Sequence, residues 1–299
     1  MKLIWVFLII VILIIFLIIG IWYFFRHQDP YYIASWLNSI VENDRLKQNQ
    51  LDMENQQAHL RDSGRGNDFR PIPSYCVASK SQNKLVRELN DELLLHFDQI
   101  KEEILSLLPS DRSISDRASP NKTQPEYQGL PMVELDPVQH QFFKGKADEW
   151  RVIWVRFLNQ WGRMADHLPT LKRILENYPE IILLHVSIMA PGTILPEHEG
   201  VSKAVLRYHL PIQIPKGDVY LELEGQKIKW VEREGFVFDD CLRHSVTMKP
   251  EKDEYRIIIF ADIPREYDGW SGSVKSSISN FFHSMIREND WIRKIKQKI

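Results

Sequence analysis

The chain has 299 residues, 44% of them hydrophobic, and 38 Lys and Arg against 40 Asp and Glu give a formal net charge of −2. That length supports one sizeable core and a smaller appendage. The near-neutral balance excludes the global basic field that nucleic-acid binding would need, so no nucleic-acid partner is expected. Its two cysteines, Cys76 and Cys241, are too few for a disulfide framework.

From Leu3 to Phe25 the run LIWVFLIIVILIIFLIIGIWYFF carries no charge. About 20 apolar residues cross a bilayer as a helix. The aromatic end of the run suits a membrane interface better than a signal-peptide cleavage site. The sequence therefore predicts a single-pass transmembrane anchor over residues 1–26, an uncleaved signal-anchor with the rest of the protein at the membrane. Lys2 precedes the run and Arg26 is the only Lys or Arg between it and Arg45. This leans towards a lumenal or exterior C-terminal part and leaves the side otherwise open. The sequon Asn121-Lys122-Thr123 would be an acceptor in a lumen.

Residues 27–80 are polar, with little apolar periodicity after Trp36 and Val41. They read as a juxtamembrane helix giving way to a linker. Leu85, Leu89, Leu93, Phe97, Ile100, Ile104 and Leu108 repeat at helical spacing, with Ser81 as a plausible cap. Residues 109–131 read as a proline-containing loop, and a second helix is predicted from Pro169 to Tyr178. From Ile181 the texture changes to short β-prone runs separated by turn signals: 181–189, 204–214, 218–224, 227–231, 235–240, 244–248 and 255–263. Such runs predict an antiparallel sandwich or barrel, and a double-sheet jelly roll suits their number. Over 271–299, Ile278, Phe281, Phe282, Met285, Ile292, Ile295 and Ile299 share one side of a helix that is otherwise basic. This amphipathic helix lies either on an anionic membrane surface or against the β domain, and the Phe281-Phe282 pair favours the protein groove.

PGTILPEHEG, Pro191 to Gly200, places His198 in a corner where neither proline suits a helix or a central strand. In VLRYHLPI, period-two alternation puts Val205, Arg207, His209 and Pro211 on one face and Leu206, Tyr208, Leu210 and Ile212 on the other. Arg256 shares a face with Ile258 and Phe260 in another apolar strand. Buried arginines are costly unless paired. A bound anion, ideally a carboxylate, would pair Arg207 and Arg256, with His209 beside them; Asp239, Asp240 or Asp262 are the internal alternatives. His198 and His244, from separate strand edges, fit a metal site beside that interior. A Cys241–His244 zinc pair lacks a second Cys/His pair to complete it.

VSIMAPGTILPEHEG, LRYHLPIQIP, EGFVFDDCLRHSV and YRIIIFADIPRE, in this order and spacing, resemble the aspartyl/asparaginyl β-hydroxylase family of Fe(II)- and 2-oxoglutarate-dependent dioxygenases, over about Trp150 to Glu266. The resemblance implies a double-stranded β-helix (jelly-roll, cupin-like) catalytic domain, mainly β with flanking helices, within residues 81–270. It implies iron on His198 and His244, and 2-oxoglutarate contacts from Ser187, Arg207, His209 and Arg256. Dioxygen would be consumed with 2-oxoglutarate to hydroxylate a substrate carbon, a peptidyl aspartate or asparagine β-carbon in a protein or peptide.

Many iron oxygenases use two histidines and a carboxylate. Two residues after the first histidine stands Gly200, which the resemblance implies is normal for the peptide-hydroxylating branch, where water replaces the acid; lipid-hydroxylating relatives look more like His-x-Asp. Cys241 replaces the serine the family often has, and residues 27–120 show no helical-repeat region of the kind that accompanies known peptide hydroxylases. The alternatives are a lipid or small-molecule substrate, a catalytically silent binding module of the same fold, and a zinc hydrolase, for which no general base stands out.

Overall fold

The structure is a computed structural model that describes residues 2–26, 30–63, 75–108, 130–131, 149–200, 202–266 and 289–297. The strands are β1 (Cys76–Val77), β2 (Leu130–Pro131), β3 (Trp150–Phe157), β4 (Gln160–Trp161), β5 (Leu183–Met189), β6 (Ile194–His198), β7 (Val205–Gln213), β8 (Gly217–Leu223), β9 (Gln226–Ile228), β10 (Phe236–Phe238), β11 (His244–Pro250) and β12 (Arg256–Pro264). The helices are α1 (Lys2–Arg26), α2 (Pro30–Asp62), α3 (Lys84–Leu95), α4 (Phe97–Ser106), α5 (Pro169–Glu176) and α6 (Asp290–Lys296).

The large sheet runs β1-β10-β7-β12-β5-β3-β2, with β4 paired to β3, and the small sheet runs β6-β11-β8-β9. All pairings are antiparallel. Alternation along each large-sheet strand sorts its side chains into two cores. Leu184, Val186 and Ile188 of β5, Leu206, Tyr208, Leu210 and Ile212 of β7, and Ile257, Ile259 and Ile263 of β12 pack with α3, α4 and α5. On the opposite face Trp150, Val152, Met189, Phe236, Phe238 and Ile258 meet Leu195, Val219, Leu221, Val246 and Met248 of the small sheet. The result is two apposed sheets with helices on the outer face of the larger, the jelly-roll layering expected from the β-prone runs. Two tight hairpins close strand pairs: Leu158-Asn159 between β3 and β4, and Glu224-Gly225 between β8 and β9. Positive φ at both central residues is what a two-residue turn of matching twist requires.

Several elements differ from expectation. The helix predicted from Leu85 to Leu108 is split at His96 (φ −107°, ψ 16°), and its cap is Asn83, whose side chain accepts from the Val86 N–H at 3.1 Å. The corner holding His198 is an edge strand, β6, where Pro196 costs no ladder bond on its open side. Residues 30–62 form one 33-residue helix that lies on the domain, in place of a short helix and a linker.

The single-pass anchor and its membrane localisation are corrected. Lys2–Arg26 is helical, but among the described residues no helix is long and apolar enough to cross a membrane. Of the expected C-terminal helix, Asp290–Lys296 is helical, and Arg163 and Gln160 of the β3–β4 region donate to the carbonyls of Gln297 (2.8 Å) and Lys296 (3.3 Å). Residues 267–288, with the Phe281-Phe282 pair, and the sequon at Asn121 lie outside the described residues.

Candidate active site

His198 ends β6 and His244 opens β11, and the two are directly opposite in the antiparallel register. Their ring centroids are 4.1 Å apart. In each, Nδ1 faces a backbone carbonyl two residues back: Pro196 at 2.8 Å for His198, Leu242 at 2.9 Å for His244. A carbonyl only accepts, so Nδ1 carries the hydrogen in both and the lone pair falls on Nε2, the arrangement that suits metal ligation. Burial, and then the neighbouring His198, push His244 down to about 4; burial also lowers His198. Both imidazoles are therefore neutral at neutral pH, as a ligand must be.

A side chain at position 200 has no room. A Cβ on Gly200 would overlap the Asp240 carboxylate, and the Gly200 N–H donates to the Asp240 carbonyl at 2.6 Å. Asp240 is buried and pairs through Oδ2 with Arg207, while its Oδ1 has no partner among the described residues. The donors that face each other at this end are thus two neutral imidazoles, with the Asp240 carboxylate held by Arg207 rather than converging on them, and such a pair suits a divalent cation with most of its coordination left open. The described residues that otherwise group as metal donors are Asp239, Asp240 and Cys241. That group is a poor ligand set: burial, and then Asp240 and Asp239, push the Cys241 thiol far up, so it stays protonated. The Cys241–His244 zinc pairing gains nothing from the geometry.

A second polar cluster lies along the inner face of the large sheet. Arg256 is 2% exposed, donates to Ser187 Oγ at 2.8 Å, and stacks its guanidinium over Trp230 at 4.8 Å. Its Nε is unpartnered, and no acid pairs with it among the described residues; burial alone pulls its pKa to about 9. Ser187 Oγ also accepts from Trp150 Nε1 at 3.0 Å. With two donors on its oxygen, the hydroxyl hydrogen is directed outward as a donor. His209 accepts from Trp230 Nε1 through Nδ1 at 3.3 Å, which places its hydrogen on Nε2, a buried donor without a partner. Arg256 Nε and His209 Nε2 are thus buried donors without an acceptor among the described residues, with the Ser187 hydroxyl beside them, and such a group of donors suits a carboxylate. Phe238 stands between the two clusters, its ring 5.2 Å from His209 and 5.6 Å from His244.

Arg207, expected beside a bound carboxylate, is placed otherwise. It faces Asp262 across the β7–β12 register and donates to it at 2.5 Å, while its other terminal nitrogen binds Asp240. Burial would lower its pKa, but the two acids outweigh this and raise it. Of the acids considered as internal partners, Asp240 and Asp262 therefore take Arg207 and Asp239 takes Arg45 and Arg265, which leaves Arg256 without an acid partner among the described residues.

His185, Trp150 and Trp230 did not stand out in the sequence as site residues. His185 is two residues before Ser187, hence on the same strand face, and that spacing was the available signal. It lies in a file of rings across five strands, Trp154, His185, Phe260, His209 and Phe236, stacked on Phe260 at 4.2 Å. Burial, and then Arg207, push it down to about 3. The unfolded chain takes up this proton near pH 6.5 and the folded chain only near pH 3, so His185 stabilises the fold above pH 6.5 and that contribution is lost as pH falls towards 3. His185→Phe should flatten the acid side of the stability profile by up to about 1 kcal/mol per pH unit in urea unfolding of the metal-free protein. An unchanged slope would mean that His185 is protonated in the fold.

The family profile described as Aspartyl/Asparaginyl beta-hydroxylase matches residues 95–266, more than half of the chain. A 120-residue stretch is 30% identical to the human (Homo sapiens) aspartyl/asparaginyl beta-hydroxylase, covering 37% of this chain and 16% of that protein. A 111-residue stretch is 26% identical to the ornithine lipid ester-linked acyl 2-hydroxylase of Rhizobium tropici, covering 34% of this chain and 39% of that one. The chain thus spans well under two thirds of these curated relatives. A solved Pseudomonas putida prolyl-4-hydroxylase aligns over 60% of this chain and 97% of its own at 12% identity, with a TM-score of 0.32; the fold assignment rests on the strand order and not on that alignment. The profile match begins at the end of α3, includes α4 and runs through β12, and on it the chain belongs to the aspartyl/asparaginyl β-hydroxylase family.

Proposed function

We propose that this protein is an Fe(II)- and 2-oxoglutarate-dependent dioxygenase that hydroxylates a peptidyl aspartate or asparagine β-carbon. The observation that carries the cosubstrate is Arg256, a fully buried guanidinium with no acid partner among the described residues, beside Ser187 and His209. A dicarboxylate would supply the missing charge at that end and leave its other end towards His198 and His244. When bound there, iron would couple oxidative decarboxylation of 2-oxoglutarate to succinate and carbon dioxide with hydroxylation of the substrate by dioxygen.

The chain's own residues have separable tasks. His198 and His244 would hold the metal through nitrogens kept unprotonated by burial. Arg256, Ser187 and His209 would orient the cosubstrate. Arg207, held by Asp262 and Asp240, would keep the Asp240 carboxylate in the space beside Gly200 rather than touch the cosubstrate itself. The aromatic file and the apolar side chains between the sheets would exclude water from the cosubstrate end of the site.

Release of succinate from 2-oxoglutarate, dependent on Fe(II) and stimulated by an Asp- or Asn-containing peptide, tests the reading. Metal-dependent binding without succinate would support a silent binding module instead. A second substrate reading, hydroxylation of a lipid acyl chain, draws on the Rhizobium tropici relative, of which a larger share is matched. Gly200 weighs against it, and stimulation by an acyl lipid but by no peptide would reverse that preference.

A further inference from the structure

We propose that α2 is a positioning element of the metal end of the site and that Arg45 is its principal positioning residue, acting through Asp239. The inference rests on His198 and His244 being the metal ligands. Between the buried Val41 and Leu60 the buried face of α2 is polar: Arg45, Asn49, Asp52 and Gln56 follow one another at helical spacing and are all buried. An apolar stripe can slide on its partner, whereas these groups match only one docking position.

Asp239, fully buried, is the hub of that position. Its Oδ2 accepts from Arg45 Nε at 2.5 Å and Asn49 Nδ2 at 2.7 Å and lies 3.1 Å from an Arg265 nitrogen. Its Oδ1 accepts from the Cys241 N–H at 3.0 Å. Burial would raise its pKa, but Arg265, Asn49 and Arg45 outweigh this and keep it ionised. Asp239 begins the short link from β10 to β11, which carries Asp240 and delivers His244.

The same helix also holds the segment that follows His198. Asn38 accepts from the Lys203 N–H at 2.7 Å, Glu42 pairs with the Lys203 ammonium at 2.9 Å, and Arg265 donates to the Lys203 carbonyl at 2.9 Å. The two segments are tied to each other where the Gly200 N–H meets the Asp240 carbonyl. Both histidines therefore hang from segments that α2 fastens from outside. Arg45 also binds Glu42 at 2.8 Å, joining the two halves of this attachment.

The test uses the full chain, with Mn(II) as the probe, in wild type, Arg45→Met and Arg45→Lys. Outer-shell partners of metal ligands are worth about 10- to 100-fold in affinity. Arg45→Met should therefore weaken Mn(II) binding by at least about 10-fold in calorimetry, and Arg45→Lys should recover part of the loss. Amide exchange is the second readout: Gly200 and Cys241 should exchange about tenfold faster in Arg45→Met, with Val186 in β5 unchanged. Equal protection of Gly200 and Cys241 in both proteins overturns the proposal. So does a matching loss at Val186, which would make Arg45 a general stabiliser. If wild type and His244→Ala bind Mn(II) equally, the ligand assignment fails instead, and exchange at Gly200 and Cys241 alone decides whether α2 organises the two segments.

Discussion

Alanine at His198 or at His244 is expected to lower Fe(II)-dependent succinate release by more than about 100-fold, beyond the range seen for outer-shell partners. With two protein donors in reach, removing either leaves a single ligand, and no third His, Cys, Asp or Glu converges with them among the described residues. Stability should move little in the metal-free protein. Two imidazoles packed 4.1 Å apart, one held near pKa 4 by burial and its neighbour, contribute little to the apo fold. The pair of measurements separates roles: loss of turnover with an unchanged unfolding midpoint marks a ligand, and wild-type turnover in either variant removes the assignment.

Arg256→Met should raise the KM for 2-oxoglutarate by at least about 30-fold, equivalent to about 2 kcal/mol, because a charge-assisted bond in a dry site is lost. The metal-free variant should be as stable as wild type or more so. In the absence of an anion the guanidinium is a buried cation without an acid partner among the described residues, and methionine of similar length relieves that cost. Added 2-oxoglutarate with Mn(II) should then raise the melting temperature of wild type more than that of the variant. Unchanged cosubstrate kinetics would show that Arg256 serves packing alone. Arg207→Met should behave differently: it would leave the buried Asp240 and the half-buried Asp262 without their shared cation, so stability should fall as well as turnover.

The face on which each strand residue lies was legible, because alternation is a property of the strand itself. Arg207 and His209 share the inner face of β7, and Leu206 and Tyr208 the outer, as their spacing in VLRYHLPI says. The β-prone runs from residue 181 onward correspond to strands for the same reason. β6 was hidden by two prolines, since a sequence does not announce which strand will be an edge. β3 was also hidden: it stands apart from the β-prone runs that begin at residue 181, and WRVIWVRF is recognised as a strand by its pairing with β5.

The sequence by itself determined the local facts: which residues alternate, where chemistry-bearing histidines and arginines stand, and which family their order resembles. It also exposed a 23-residue apolar run, Leu3–Phe25, whose reading as an anchor does not hold among the described residues. Tertiary structure alone decided partnership. Asp262 and Arg207 are 55 residues apart and meet because β7 and β12 pair in one register, which engages Arg207 and leaves Arg256 without an acid partner among the described residues. Asp239 and Arg45 are 194 residues apart, and nothing in the pattern of α2 marks its buried side. Hydrophobic periodicity reveals a face only when the face is apolar. A helix docked by hydrogen bonds and ion pairs looks like a linker until its partners are in place.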